Sequence, residues 1–270
     1  LLKNVVNYPE HENEFLFFTE TLPFQFLLDN EDLNEESKFD LLIVDEAQDL
    51  ISEYYIEVFN LIVKDGIRNG EWIFFGDFSN QAIYLNERER SLFLLRERAA
   101  VTNLPPLKLN CRNTKKISIQ NILLTRASSP EFSTRNIEGL PIDVKFESNE
   151  KKQTDAMEVV IKGLTTLGVP LKKVTLLSPK KYENTFLKQS TFIADLIESR
   201  QINFFTIQSF KGLENSYIIL CDIDGIETRE AQQLLYVGIS RARLKLYLIL
   251  NKALEESYRR LVQQNLHLAL

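Results

Sequence analysis

Cysteine and histidine are scarce in this sequence, with two residues of each among 270. Cys111 and Cys221 lie far apart, and Cys221 is inside an apolar run. We therefore expect a buried free thiol at Cys221 rather than a disulfide framework or a zinc site. The two histidines lie near the ends of the chain, which argues against histidine-based catalysis or metal binding.

Long apolar runs and an excess of basic residues are also missing. No run reaches the roughly 18 residues that a membrane span needs, and no basic-then-apolar signal segment opens the chain. We expect a cytoplasmic protein without a membrane partner. The formal net charge of −6 excludes a uniformly basic nucleic-acid wrapper, although it leaves room for a local basic groove.

What the sequence does contain is an alternation of strand-like and helical patterns. Most apolar runs are apolar throughout, which is typical of a parallel sheet covered by helices on both faces. Helical spacing is found over 51–62, 156–167 and 254–262. We predict an α/β fold with mainly parallel sheets flanked by helices. The runs predicted as strands are 15–18, 41–44, 72–75, 107–109, 144–146, 174–177, 204–207, 217–220 and 246–250.

The chain is long enough for two domains of ordinary size. The segment Asn103-Leu104-Pro105-Pro106 gives the best boundary, because proline blocks helix continuation and restricts the residue before it. We predict one α/β unit over 1–103 and a second over 104–270.

Two adjacent carboxylates, Asp45 and Glu46, end the apolar run 41–44. In open α/β sheets, ligands bind at the carboxyl ends of the strands. One carboxylate there can hold Mg²⁺ and the other can orient a water, as nucleotide hydrolysis requires. The alternative is a buried strand followed by an acidic helix N-terminus.

A second strand-like run ends at Gly76-Asp77 and is followed by Gln81 and Tyr84. The amide of Gln81 can bind a phosphate or orient a water. The ring of Tyr84 can stack on a nucleic-acid base. The alternative is a plain turn with Tyr84 packed in the core.

Two arginines are candidates for neutralising phosphate charge. Arg112 comes just after a short strand, and its planar guanidinium suits phosphate oxygens. Arg241 comes at the end of an apolar helix, where an arginine finger could stabilise a transferring phosphoryl group. The alternatives are a surface arginine at 112 and, at 241, a cation that complements the helix dipole.

A polar loop follows the strand that ends near Thr206. Thr206, Gln208 and Ser209 can contact a sugar–phosphate backbone without reading its sequence. Gly212 permits a positive φ or a close backbone approach, and Glu214 can accept hydrogen bonds from a ribose. An ordinary polar loop between two strands is the alternative.

In this order, the five clusters resemble the motifs of the UvrD/Rep-like superfamily 1 DNA helicases. Asp45-Glu46-Ala47-Gln48 is similar to the Walker B motif of that family, and Gly76-Asp77 with Gln81 to Tyr84 to its next motif. Asn110-Cys111-Arg112 resembles the family's Asn-Tyr-Arg element. Residues 206–214 resemble the family's Thr-x-His-x-x-Lys-Gly-Leu-Glu motif, and residues 235–242 resemble its final Tyr-Val-x-x-Ser-Arg-Ala motif.

The resemblance implies ATP and Mg²⁺ as cofactors and two RecA-like domains around the nucleotide. Asp45 would hold Mg²⁺, Glu46 would activate water, and Gln48 would couple the nucleotide site to the second domain. Phosphate contacts would come from Gln81, Arg112 and Arg241. Single-stranded or partly duplex DNA would lie along Tyr84, Thr206, Gln208 and Ser209, and the nucleotide near Gly212 and Glu214.

Several departures from the family pattern shape the functional hypothesis. The sequence has no Gly-x-x-x-x-Gly-Lys-Ser/Thr loop, which would bind phosphates and Mg²⁺. Cys111 and Gln208 stand where the family has tyrosine and histidine. We therefore expect the C-terminal part of an ATP-dependent helicase, inactive alone, whose first motor domain is incomplete in this chain.

Two alternatives remain open at this stage. The chain could be a complete, non-hydrolysing scaffold that binds nucleic acid or a protein partner. Another polypeptide could instead supply the missing half of the first motor domain.

Overall fold

The computed structural model describes residues 16–77, 88–99, 101, 104, 107–127, 131–132 and 137–269. Side-chain burial is described for the same residues except 88–92 and 132. Internal packing divides the chain into two compact units, Leu1–Pro105 and Pro106–Leu270. Each unit is described by itself below.

The first unit contains a two-stranded parallel sheet, in which β1 pairs with β2 from Leu41 opposite Glu71 to Val44 opposite Phe74. Short π-helical and 3₁₀ segments cover Phe17–Thr21, Glu35–Ser37 and Ala47–Asp49. Its other elements are α1 (Leu22–Asp29), β1 (Leu41–Val44), α2 (Glu53–Ile62), α3 (Gly66–Asn69), β2 (Glu71–Phe74) and α4 (Arg88–Arg98).

The core of the first unit lies on one face of this sheet. Val44 is buried there together with Ile56 and Phe59 of α2. Leu41 and Ile43, which alternate with the core-facing positions of β1, are exposed. The sequence-based expectation that the strands are covered on both faces is therefore wrong for β1.

The second unit has a two-residue parallel pair and a larger sheet. Short 3₁₀ helices lie at Leu171–Lys173, Tyr182–Asn184, Phe186–Gln189 and Lys252–Leu254. Its other elements are β3 (Leu109–Asn110), α5 (Lys115–Thr125), β4 (Glu131–Phe132), β5 (Asp143–Glu147), α6 (Glu150–Thr166), β6 (Val174–Ser178), α7 (Thr191–Glu198), β7 (Asn203–Thr206), β8 (Asn215–Leu220), α8 (Arg229–Ser240), β9 (Ala242–Asn251) and α9 (Glu255–Ala269).

The larger sheet has five strands in the order β5-β9-β8-β6-β7, and all its pairings are parallel. Every residue of β6 is buried, as expected for a central parallel strand. Ser178 at the end of β6 lies opposite Thr206 at the end of β7. The polar ends of these two strands are thereby neighbours at one edge of the sheet.

Helices cover both faces of this sheet. Ile219 of β8 packs in a cluster with Met157 of α6 and Ile193 of α7. Leu220, the next residue of β8, points the other way and lies against Gly238 of α8. Side-chain caps begin four of the helices, since Ser52, Asn149, Ser190 and Thr228 each accept a hydrogen bond from a backbone N–H three residues on.

The predicted α/β class with parallel sheets flanked by helices is confirmed. The predicted strand over 15–18 is wrong in its described part, because Phe17 and Phe18 begin the π-helical segment. The assignment of 1–103 and 104–270 to two RecA-like motor domains stays a prediction. In the described part of the chain, no helix combines the length and apolarity that crossing a membrane requires.

Candidate functional site

The acidic pair forms a turn directly after β1. Asp45 is exposed, and its Oδ1 accepts a 2.9 Å hydrogen bond from the backbone N–H of Glu46. Glu46 has a left-handed backbone with φ of 52°, which is uncommon for a residue with a side chain. The turn leaves the Asp45 carboxylate open to solvent at the carboxyl end of a parallel strand.

Gln48 is buried and links the ends of β1 and β2. Its Nε2 donates to the Glu46 carboxylate, and its Oε1 accepts a 3.0 Å hydrogen bond from the backbone N–H of Asp77. One amide therefore orients Glu46 and holds the Gly76-Asp77 turn in place. The predicted role of Gln48 in coupling to the second domain stays a prediction.

The acidic turn fits a magnesium ion by its donor chemistry. No group of three or more His, Cys, Asp or Glu side chains is placed to hold a metal within the described residues. Mg²⁺ typically uses only one or two protein carboxylates, with waters and phosphates completing its shell. The exposed oxygens of Asp45 meet that requirement. Gln81 and Tyr84 lie outside the described residues, so their predicted contacts remain predictions.

The polar loop after β7 is anchored by two apolar side chains. Ile207 and Phe210 are buried, while Ser209 is exposed and Gln208 is half-buried. Thr206 Oγ1 donates to Ser209 Oγ at 2.9 Å and accepts from the backbone N–H of Ser209 at 3.1 Å. The loop thus carries hydroxyl and amide groups at the surface above two buried side chains.

Gly212 ends this loop with φ of +82°. A Cβ built at this position meets no heavy atom within 4 Å, so the left-handed backbone, rather than lack of space, is what favours glycine. The geometry accounts for Gly212 as a turn residue. Its predicted proximity to a nucleotide stays a prediction.

Arg112 and Glu214, which the sequence assigns to separate ligand groups, contact each other. The Nε of Arg112 lies 2.8 Å from Glu214 Oε2. A second arginine, Arg243, places an Nη1 3.3 Å from the other oxygen, Oε1. One carboxylate therefore joins two guanidinium groups, and all three side chains are partly exposed.

Asn113 holds the Arg112 segment against the start of β9. Its Nδ2 donates to the backbone carbonyls of Ser240 and Ala242, at 2.9 Å and 2.6 Å. Asn110 Oδ1 in turn accepts from the backbone N–H groups of Arg112 and Asn113, at 3.1 Å and 3.0 Å. The position of Arg112 is thereby fixed relative to the chain that carries Arg243.

Arg241 is 1% exposed and is turned into the second unit. Its Nε donates to the Val237 carbonyl at 3.1 Å, its Nη2 to Ser240 Oγ at 2.9 Å, and its Nη1 to the Leu213 carbonyl at 3.3 Å. The Arg241 carbonyl accepts from the N–H of Asn215 at 3.1 Å. These bonds fix the segment beside Glu214. A phosphate contact by Arg241 stays a prediction.

Sequence reasoning missed Asn113 and the pairing of Arg243. The repeated Asn-x-x-Asn and Arg-x-Arg patterns at 110–113 and 241–243 are visible signals. Each pattern places several hydrogen-bonding side chains within a few residues, which indicates contacts with other segments of the chain. The patterns do not indicate which segments these are.

Comparison with known proteins finds a family match for the part of the chain that contains several of these site residues. Residues 202–249 match the family model described as the UvrD-like helicase C-terminal domain. This segment of the chain is helicase-related. The resemblance to UvrD/Rep-like helicases is confirmed for this segment, which contains Thr206, Glu214 and both arginines after α8. No curated protein matches the chain.

Two solved structures of helicases are similar to the chain at 16% identity. One is the C-terminal domain of a possible DNA helicase from Lactobacillus plantarum WCFS1, with a TM-score of 0.38 over 52% of this chain and 87% of that domain. The other is arterivirus nonstructural protein 10, a helicase, with a TM-score of 0.42 over 81% of this chain. The match spans 40% of the viral helicase.

Proposed function

We propose that this chain is the C-terminal part of an ATP-dependent DNA helicase or translocase. The observation that carries the proposal is the match of 202–249 to the UvrD-like helicase C-terminal domain. The ordered motifs before this segment support it. In the described part of these motifs, Gln48 and Asn113 form hydrogen bonds that hold neighbouring groups in place.

In the first unit, Asp45 would hold Mg²⁺ and Glu46 would accept a proton from the attacking water. The ion, when bound, supplies positive charge that neutralises nucleotide phosphates. Gln48 keeps the Glu46 carboxylate in one orientation by donating to it. A fixed base is more effective than a mobile one, because positioning contributes much of the catalysis of phosphoryl transfer.

In the second unit, the loop after β7 would bind single-stranded DNA. Thr206 and Ser209 offer hydroxyls, and Gln208 offers an amide. These groups lie at the end of β7, where Thr206 is opposite Ser178 of β6. Such groups contact sugars and phosphates without reading bases. Sequence-independent contacts of this kind suit a protein that moves along a strand.

The affinity for a fluorescein-labelled oligothymidylate tests this proposal. We expect binding to single-stranded DNA that weakens with salt. The double variant Thr206→Val/Ser209→Ala should lose about tenfold in affinity, as expected for losing hydrogen bonds to a charged ligand. Thr166→Val, which removes an exposed hydroxyl from the end of α6, is the matched control. Equal affinity of the double variant and the wild-type chain would contradict the DNA-binding role.

ATP turnover tests the catalytic part separately. The sequence has no phosphate-binding loop of the Gly-x-x-x-x-Gly-Lys-Ser/Thr type. We therefore expect no turnover above background from this chain with single-stranded DNA. DNA-stimulated turnover that Glu46→Gln abolishes would contradict the inactivity of the chain alone, while supporting the role of Glu46.

A further inference from the structure

Three segments of the second unit meet at Arg112 and Arg243, the two arginines that contact Glu214. They are the residues after β3, the residues before β8 and the first residues of β9. Asn113 joins the first to the third, and Arg241 joins the second to the third. Since these bonds involve backbone carbonyls, the meeting point does not depend on the exposed side chains themselves.

The charges of the three described side chains that contact each other at this meeting point do not balance. Arg112 and Arg243 carry two positive charges, and Glu214 carries one negative charge. The side chain of Arg243 is 57% exposed, and those of Arg112 and Glu214 are 37% and 38% exposed. Ion pairs in such exposed positions are weak. An anion with more charge than one carboxylate can therefore compete with Glu214 for the two guanidinium groups.

Guanidinium groups favour a particular kind of anion. Their planar forks match the spacing of phosphate oxygens and allow two parallel hydrogen bonds. Two forks that already converge on one carboxylate lose less freedom on binding than two mobile arginines would. The arrangement suits a di- or triphosphate better than a single carboxylate.

We propose that Arg112 and Arg243 form one phosphate site, which Glu214 fills in the absence of ligand. Arg241 is a positioning residue for it, because its guanidinium donates to the Leu213 carbonyl before Glu214 and its own carbonyl accepts from the N–H of Asn215 after Glu214. Arg243 is thus an additional phosphate-contacting residue. The identification of the phosphate as part of a nucleotide rests on the proposed function.

A titration with pyrophosphate tests the site directly. The Nε–H resonances of Arg112 and Arg243 report the exchange of Glu214 for phosphate in the ¹⁵N-labelled chain. We expect both to shift together. Arg243→Gln and Arg112→Lys should each weaken pyrophosphate binding about tenfold, because a bidentate charged contact is lost. Arg259→Gln, which breaks an exposed pair on α9, should leave the affinity unchanged.

The variant Glu214→Gln tests whether Glu214 competes with phosphate for the two arginines or helps to bind the ligand. If Glu214 fills the site, Glu214→Gln should strengthen pyrophosphate binding several-fold, because the competing negative charge is gone. Unchanged or weaker pyrophosphate binding would overturn the proposal. Preserved amide spectra identify the variants that remain folded, and Arg243→Lys provides a second variant for the same contact.

Two further ligands separate this inference from the proposed function. Pyrophosphate has neither sugar nor base, so its binding at Arg112 and Arg243 can succeed even if the chain binds no DNA. An oligothymidylate that shifts the two arginine resonances at lower phosphate concentration than pyrophosphate would overturn the assignment to a di- or triphosphate. Weaker DNA effects at these arginines support it.

Discussion

Asp222 is a buried carboxylate directly after β8, with a left-handed backbone of φ 56°. Its Oδ2 accepts from Ser178 Oγ at 3.1 Å, and its Oδ1 accepts from the backbone N–H of Phe186 at 3.5 Å. Burial raises the pKa of Asp222, and the hydrogen bonds from Ser178 and Phe186 counteract this only in part. The folded chain therefore holds this proton more tightly than the unfolded chain does.

This raised pKa predicts a pH dependence of stability. Between the ordinary pKa of aspartate and the raised value, the folded state binds more protons, so the free energy of unfolding falls as pH rises through that window. Above the raised pKa the contribution of Asp222 is constant. Urea unfolding from neutral pH down to about pH 4 measures it, as the difference between wild type and Asp222→Asn. A difference that does not change with pH would contradict the burial of a protonatable group there.

The two cysteines differ in their predicted reactivity. Cys221 is fully buried, and burial raises the pKa of its thiol well above the usual range, whereas Cys111 is exposed. Iodoacetamide should modify Cys111 in the folded chain and both thiols in urea, as measured by peptide mass spectrometry. The variant Cys111→Ser should take up no label while folded. Equal labelling rates for both thiols in the folded chain would show that the end of β8 is open.

At the residue scale, sequence patterns predicted where polar residues cluster better than they predicted the directions of individual side chains. Asp45 directly follows β1, Thr206 is the last residue of β7, and Ser209 lies in the turn after it, so the polar residues lie at strand ends as predicted. Arg241 points inward and donates to the Leu213 carbonyl, whereas Arg243 points outward and contacts Glu214. Those partners are distant in sequence, so a local pattern carries no information about them.

Among the helices, Gly163 of α6 and Gly238 of α8 form a matched pair for testing the packing. A Cβ built on Gly163 meets nothing within 4 Å, whereas one built on Gly238 lies 2.8 Å from Leu220 Cδ2. Gly163→Ala should stabilise the chain by about 0.5–1 kcal/mol through helix propensity. Gly238→Ala should destabilise it by about 1–3 kcal/mol, because the buried Leu220 must move.

Urea unfolding monitored by circular dichroism measures both glycine variants. A stabilising effect of Gly238→Ala would contradict the close contact between α8 and β8. A destabilising effect of Gly163→Ala would contradict the open surface at α6.

The elements most accurately predicted were the central strands. The apolar runs at β6 and β8 are too short for typical helices and rich in branched residues, so their pattern indicates buried strands. The run at 15–18 was assigned wrongly because a short aromatic run fits a buried helix as well as a strand. The exposed side chains of β1 could not be predicted, since exposure depends on what covers the sheet.

On the scale of the whole molecule, the second unit should fold by itself. The hydrophobic cluster around Met157, Ile193 and Ile219 lies entirely within 106–270. We expect a chain of residues 106–270 to unfold cooperatively on heating, as measured by calorimetry. Within it, Met157→Ala should cost about 2–5 kcal/mol, whereas exposed Val159→Ala should cost little. A fragment without a cooperative transition would contradict the independence of the unit.

The central claim is that the helicase-like segment of the second unit binds single-stranded DNA through the loop after β7. The most direct measurement is a map of amide resonance shifts on adding oligothymidylate to the ¹⁵N-labelled chain. The largest shifts should lie at Thr206, Gln208 and Ser209 and at the neighbouring end of β6. Saturable shifts confined to other surfaces, with 206–209 unmoved, would contradict the claim.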